Sequence, residues 1–314
     1  MKINLSELKF RVEQLQKRLI ACDICPHFCR VNRLKNKKGF CQAGRELEIA
    51  HIGLHFGEEP PLSGLNGSGA IFFYHCNLRC VYCQNWQISQ NSSQLSVVSG
   101  QLLAKQMLAL QEQGAHNINF VSPTHYVPYI LEGLIFALEK GLKIPLIYNT
   151  NAYDSMEVLK LLDGVIDIYL PDIKYCDNKI AKKYSGIENY VEHSRAAIKK
   201  MFKQVGWLDI DRQGVAKKGV IVRHLVMPNN LAGSKECLKF LASISKEISI
   251  SLMAQYSPQH KSSQAQELNR KITISEYEEI VDYAHELGLE NCWIQDLDSS
   301  DTYLPDFASN KPFS

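Results

Sequence analysis

Ala70-Ile71-Phe72-Phe73-Tyr74-His75-Cys76-Asn77-Leu78-Arg79-Cys80-Val81-Tyr82-Cys83-Gln84-Asn85-Trp86 decides how this chain is read. Its apolar opening reads as a short strand that runs straight into a loop with three cysteines, three residues between the first pair and two between the second. Three thiolates on one short loop can converge on a single soft metal centre. Iron–sulfur clusters usually take four cysteines, so a three-cysteine loop leaves one iron of a four-iron cluster without a protein ligand. An open iron can bind and reduce a ligand, much as a catalytic zinc keeps a free position. The plainer readings are a zinc knuckle or packed free thiols, but zinc sites pair C-x2-C units with a second pair further on, and this loop does not.

Outward from the loop, the chain of 314 residues carries 35 Lys and Arg against 33 acids, a formal net charge of +2. That balance gives no broad basic signal for nucleic acid or membrane, and DNA is not expected as a partner. No apolar run approaches the roughly 20 residues that span a bilayer. Met1 to Ile20 alternates leucines with charged and amide residues, as an amphipathic surface helix does and a secretory signal does not. Ten cysteines without an export signal point to metal or redox chemistry, and the predicted location is cytoplasmic.

Residues 1–45 are expected to form a helix followed by a metal-binding segment, since Cys22, Cys25, Cys29 and Cys41 can close a four-thiolate site. Zinc and a second iron–sulfur cluster both fit those residues. Residues 46–69 read as an irregular connecting loop, with Glu58 and Glu59 turned towards the site. His51 and His55 lack the glutamate after the first histidine that a zinc-protease helix requires. Residues 70–300 alternate strand and helix patterns, and 301–314 read as a loose tail.

Strands are expected at 117–121, 145–148, 165–170, 220–225 and 248–254, with helices between them. Asp154 with Glu157 and Ser275 with Glu278 look like capping boxes. About six strand–helix units favour an α/β fold of the partial (β/α)6 TIM-like barrel type with a small Cys-rich N-terminal extension; the same pattern also allows a doubly wound sheet. Active sites collect at the carboxyl ends of such strands. Four of those ends are polar here: Ser122 to Tyr126, Asn149 to Asn151, Asp172 with Lys174, and Arg223 with His224.

Cys76-x3-Cys80-x2-Cys83, with Tyr82 before the last cysteine, resembles the signature of the radical S-adenosylmethionine superfamily. The stretches Gly114 to Pro128, Tyr169 to Tyr175, Val222 to Val226 and Met253 to Pro258 look like a branch related to pyruvate formate-lyase activating enzyme. The resemblance implies a radical barrel with a [4Fe-4S] cluster on Cys76, Cys80 and Cys83, whose open iron chelates S-adenosyl-L-methionine. It implies reductive cleavage to a 5′-deoxyadenosyl radical, with Tyr82 near the adenine and Thr124, Asn149, Asn151, Asp172 and Arg223 as further contacts. The acidic Gly-Gly-Glu loop of many relatives is replaced by Ser122-Pro123-Thr124-His125, so contacts to the methionyl amine do not transfer residue by residue. The N-terminal cysteines are absent from the simplest activating enzyme. The hydrogen donor is therefore unassigned among a glycyl-radical protein, a small molecule and RNA. RNA would need the basic run Arg30 to Lys38, with Arg33, Lys35, Lys37 and Lys38. A flavodoxin or ferredoxin is the expected electron donor.

The competing class is a non-enzymatic iron–sulfur protein, an electron carrier or redox-responsive binding module. Such a carrier gains nothing from an open iron corner. A zinc hydrolase ranks last, because no general base stands beside a metal motif. Cys176, Cys237 and Cys292 read as packing cysteines.

Overall fold

The computed structural model describes residues 3–91, 96–302, 304–309 and 311–313. Among the described residues ten strands follow one another: β1 Leu47–His55, β2 Ser68–Phe73, β3 Val97–Val98, β4 Ile118–Val121, β5 Leu146–Thr150, β6 Ile168–Pro171, β7 Asp209–Ile210, β8 Ala216–Leu225, β9 Ser249–Met253 and β10 Cys292–Ile294. Seven of them, β2, β4, β5, β6, β8, β9 and β10, pair in parallel and stand side by side in chain order. Sequential order without reversal is the winding of a barrel wall, which sets aside the doubly wound alternative. The sheet stays open, with β10 at one end and antiparallel β1 and β3 at the other.

The parallel strands are buried on both faces, so they read as continuous apolar runs: every residue of β4, β5, β6 and β9 is buried. Crossover helices cover the outer face. Gly100–Glu112 starts where the Ser99 side chain accepts the N–H of Leu102, and Ile274–Glu286 starts with a full capping box of Thr273 and Glu276. Each fully buried Leu, Ile or Phe of this core stabilises the fold by about 1.5–3 kcal/mol at most.

Several expectations are corrected. Residues 46–69 are not an irregular loop: β1 pairs antiparallel with β2 through a bulge between Ile49 and His51. The edge strand buries Leu47, Glu48 and Ile49 while its second half is only half-buried, and that mixture hides the period-2 signal. Asp154 caps nothing, since the helix Met156–Leu161 has Ser155 at its N-cap. The capping box expected at Ser275 sits two residues earlier. The N-terminal helix spans Leu5–Lys17, and Met1 and Lys2 of the expected helix lie outside the described residues. In the tail, residues 303, 310 and 314 lie outside the described residues, while Phe307 and Phe313 pack on Phe72 with ring centroids 5.3 and 5.2 Å away. Phe313 also lies 4.3 Å from the His55 ring, which places that histidine in an aromatic cluster. The N-terminal helix and the Cys22 to Cys41 segment share one hydrophobic core with the barrel. Among the described residues no helix is long and apolar enough to cross a membrane.

Candidate active site at the carboxyl ends of the strands

The three-cysteine loop is held by its backbone before any metal is considered. His75 turns the chain with φ of 70°, and its N–H donates to Ile88 O at 2.9 Å. Its ring meets the buried carboxylate of Glu48 on β1 at 2.5 Å, and the Tyr126 hydroxyl donates to the same oxygen at 3.1 Å. Further along, the N–H groups of Arg79 and Val81 donate to Ser185 O and Tyr184 O at 2.9 and 2.8 Å. The loop is therefore clamped to β1 on one side and to the end of helix Asn178–Ser185 on the other.

Each sulfur has a polar neighbour. Asn151 Nδ2 lies 3.6 Å from Cys76 Sγ, Ser185 Oγ donates to Cys80 Sγ at 3.0 Å, and Ser89 Oγ lies 3.2 Å from Cys83 Sγ. None of the ten cysteines is paired in a disulfide. Burial pushes the Cys76 thiol up to about 11 and the Cys83 thiol up to about 12. Cys80 is also raised by burial, against the pull of the Lys174 ammonium. Thiols this reluctant to ionise become ligands when a metal displaces their protons.

The loop forms one wall of an open cavity of about 1710 Å³ at the carboxyl ends of the parallel strands. Cys76, Cys80, Cys83, Tyr82, Asn149, Asn151, Asp172 and Arg223, all singled out from the sequence, line it. Thr124 does not. Ser122 turns the chain with φ of 55°, and Thr124 falls into a buried network where it donates to Asp154 at 2.9 Å. Tyr148 and Thr150 donate to the same carboxylate at 2.8 and 2.6 Å.

Two charge clusters mark the cavity. Lys174 Nζ sits 2.6 Å from Asp172; burial opposes its charge, but Asp172 and the Cys80 thiol outweigh that and hold its pKa above the ordinary value. Arg223 forks onto Glu59 with two bonds of 2.7 Å and also pairs with Glu58, which accepts from Asn119 at 2.7 Å. Burial disfavours the charge on Glu59, yet Arg223 keeps it below the usual carboxylate range. Arg223 is thus matched by two acids within the protein.

Sequence reasoning missed the support behind the first contacts. Tyr82 OH meets Tyr175 OH at 2.6 Å, Tyr175 meets Ser185 at 2.7 Å, and Ser185 reaches Cys80. Ser251, Gln255 and Gln295 also line the cavity. Ser251 lies in β9, whose residues are all buried, and Gln295 follows the three-residue β10, so no alternation of exposed and buried residues singles them out.

Three cysteines on one wall, the fourth direction open to a large cavity and a lysine beside them, suit a four-iron cluster with one free corner. The family model for the radical SAM superfamily matches residues 70–208. Over 300 residues the chain is 34% identical to an uncharacterized protein of Methanocaldococcus jannaschii, MJ0674, covering 92% of this chain and 81% of that one. Among solved structures it is similar to Streptococcus suis SuiB bound to S-adenosylmethionine, with TM-score 0.50 and 16% identity, covering 72% of this chain and 50% of that one. It is similar to the FeFe-hydrogenase maturase HydG from Carboxydothermus hydrogenoformans to the same TM-score of 0.50, with 12% identity over 72% of this chain and 53% of that one. The chain thus spans about half the length of these solved chains, and the likeness is one of fold. The chain belongs to the radical SAM superfamily, whose members use a [4Fe-4S] cluster and S-adenosylmethionine.

Proposed function

We propose that this protein is an oxygen-sensitive radical enzyme that reductively cleaves S-adenosylmethionine and takes a hydrogen atom from a substrate bound in the same cavity. The observation that carries this reading is the set of three thiols on the cavity wall, facing Asn149, Asn151, Asp172 and Lys174 at the ends of neighbouring strands. When bound, the cluster supplies the electron that splits the sulfonium into methionine and a 5′-deoxyadenosyl radical. The chain's own residues bind and orient. Lys174 and Asp172 offer opposite charges to the methionyl carboxylate and amine, Asn149 and Asn151 add neutral contacts, and Tyr82 offers an aromatic edge to the adenine.

The hydrogen donor we favour is a loop of a partner protein carrying a glycine, the activating-enzyme-like reaction. The open cavity of about 1710 Å³ has room for a second guest beside S-adenosylmethionine, whose own site would take roughly 300–1,000 Å³. RNA is less well served, because Arg33 of the basic run is 1% exposed and donates to Gly44 O and His125 O. We also propose a flavodoxin or ferredoxin as electron donor, a cytoplasmic location, and a second metal centre, zinc or iron–sulfur, on Cys22, Cys25, Cys29 and Cys41. The test is dithionite-dependent release of 5′-deoxyadenosine by anaerobically reconstituted protein, with Cys80→Ala beside it. Release by the wild type alone is expected; equal release by Cys80→Ala contradicts the reading.

A further inference from the structure

The four N-terminal cysteines lie around one small cavity, bounded also by Ile24, Phe28, Arg33 and His125. Its volume is about 10 Å³, enough for about one water. Among the described residues no three His, Cys, Asp or Glu side chains converge closely enough to hold a single metal ion. The four thiols therefore surround the cavity without closing on the position of a single ion.

Two buried polar atoms on its lining residues lack hydrogen-bond partners: Arg33 Nη2 and His125 Nδ1. Arg33 is 1% exposed, and its other nitrogens donate to Gly44 O at 3.1 Å and His125 O at 2.7 Å. A buried guanidinium without an acidic partner and with one free N–H edge calls for an anionic guest. Space is reserved at Gly39, where a β-carbon would meet Cys29 Cβ and Sγ at 2.8 Å.

We infer that Cys22, Cys25, Cys29 and Cys41 hold a second four-iron cluster, with Arg33 as its charge partner, and that it exchanges single electrons with the cluster on the Cys76 loop. Two short paths join the seats. Phe40 N–H donates to Cys29 Sγ at 3.4 Å, and Phe40 O accepts from Arg79, the neighbour of Cys80, at 2.7 Å. His27 stacks on Phe40 at 3.9 Å and meets Asn77 O, beside Cys76, at 2.8 Å. In the transfer one electron leaves the reduced second cluster and enters the oxidised first one, with no bond or proton changed. A low-potential one-electron donor protein, or dithionite in its place, supplies that electron. The inference rests on the proposed function only for the first cluster.

The experiment measures iron, sulfide and zinc in anaerobically reconstituted full-length protein and in Cys76→Ala/Cys80→Ala/Cys83→Ala, followed by electron paramagnetic resonance after dithionite reduction. About eight irons per chain are expected in the wild type and about four, with matching sulfide, in the triple variant. The reduced wild type should show spin–spin broadening absent from the triple variant, and Arg33→Gln should keep its iron while its second cluster becomes harder to reduce. Four irons in the wild type and none in the triple variant, or one zinc per chain, overturns the second cluster and leaves the proposed function standing. Iron content equal in wild type and triple variant, with no 5′-deoxyadenosine formed, overturns the proposed function instead. Unbroadened signals from a chain carrying both clusters, or an unchanged potential in Arg33→Gln, overturn the electron exchange or the role of Arg33, respectively.

Discussion

At the scale of single residues, the carboxylate that matters most to the shape of the site is one that does not itself line the cavity. Asp154 is fully buried and accepts three hydroxyl hydrogen bonds, from Thr124, Tyr148 and Thr150. Burial raises its pKa, against the pull of those three donors. The network pins the turn after β5, where Ala152 adopts φ of 61° and Asn151 reaches back to Cys76. Asp154→Ala should strip three buried hydroxyls of their acceptor and cost on the order of 3 kcal/mol in denaturant unfolding, with Asp154→Asn costing less because it keeps one oxygen. Equal stability of Asp154→Ala and wild type would count against the network. That Cys76, Cys80 and Cys83 share one cavity wall with most of the polar strand ends was legible in residue type and spacing. Thr124 was misplaced because a polar residue after a strand looks the same whether it faces the cavity or a buried acid 30 residues away in sequence, and only the turn at Ser122 decides.

Elements were legible in proportion to their length. The parallel strands and crossover helices announced themselves through apolar runs, caps and terminal glycines. The strand β10 has three residues, so the barrel was read as six units where seven parallel strands stand. The strand β1 was hidden by its bulge and half-exposed end, and with it Glu48, the anchor of His75. At the start of the long strand β8, Gly219 holds φ of 125°, and an added β-carbon would meet Trp207 O at 2.4 Å and Leu208 N at 2.7 Å. Neither backbone atom can step aside, since both belong to the segment that leads into β7. Gly219→Ala should therefore destabilise the protein by more than the ~1 kcal/mol of an ordinary glycine replacement. A thermal midpoint unchanged from wild type would contradict this.

For the whole molecule, two buried histidines set a limit in acid. His224 is held neutral between Ile173 O at 2.7 Å and Ser234 Oγ at 2.8 Å, and burial pushes its pKa down to about 4; the Ile173 carbonyl and Asp172 oppose that shift while Lys174 adds to it. His125 is pushed down to about 3, also by burial, with the Tyr74 carbonyl opposing. An unfolded imidazole titrates near 6.5, so in acid the unfolded chain takes up the proton first. The stability these groups contribute is complete above about pH 6.5 and falls by about 1.4 kcal/mol per pH unit for each histidine as the pH drops through that window. It levels only below about 4 for His224 and about 3 for His125. Between pH 7.5 and 4.5 the urea midpoint of the wild type should fall more steeply than that of His224→Gln. Parallel curves would remove His224 from the account.

The central claim is that the Cys76 loop leaves one iron open to S-adenosylmethionine inside the large cavity. Its most direct test is the electron paramagnetic resonance spectrum of the dithionite-reduced protein, recorded with and without S-adenosylmethionine. The account predicts that part of the spectrum changes shape on addition in the wild type, and that this part is missing altogether from Cys76→Ala/Cys80→Ala/Cys83→Ala. A fully iron-loaded wild type whose spectrum is identical with and without S-adenosylmethionine would contradict it.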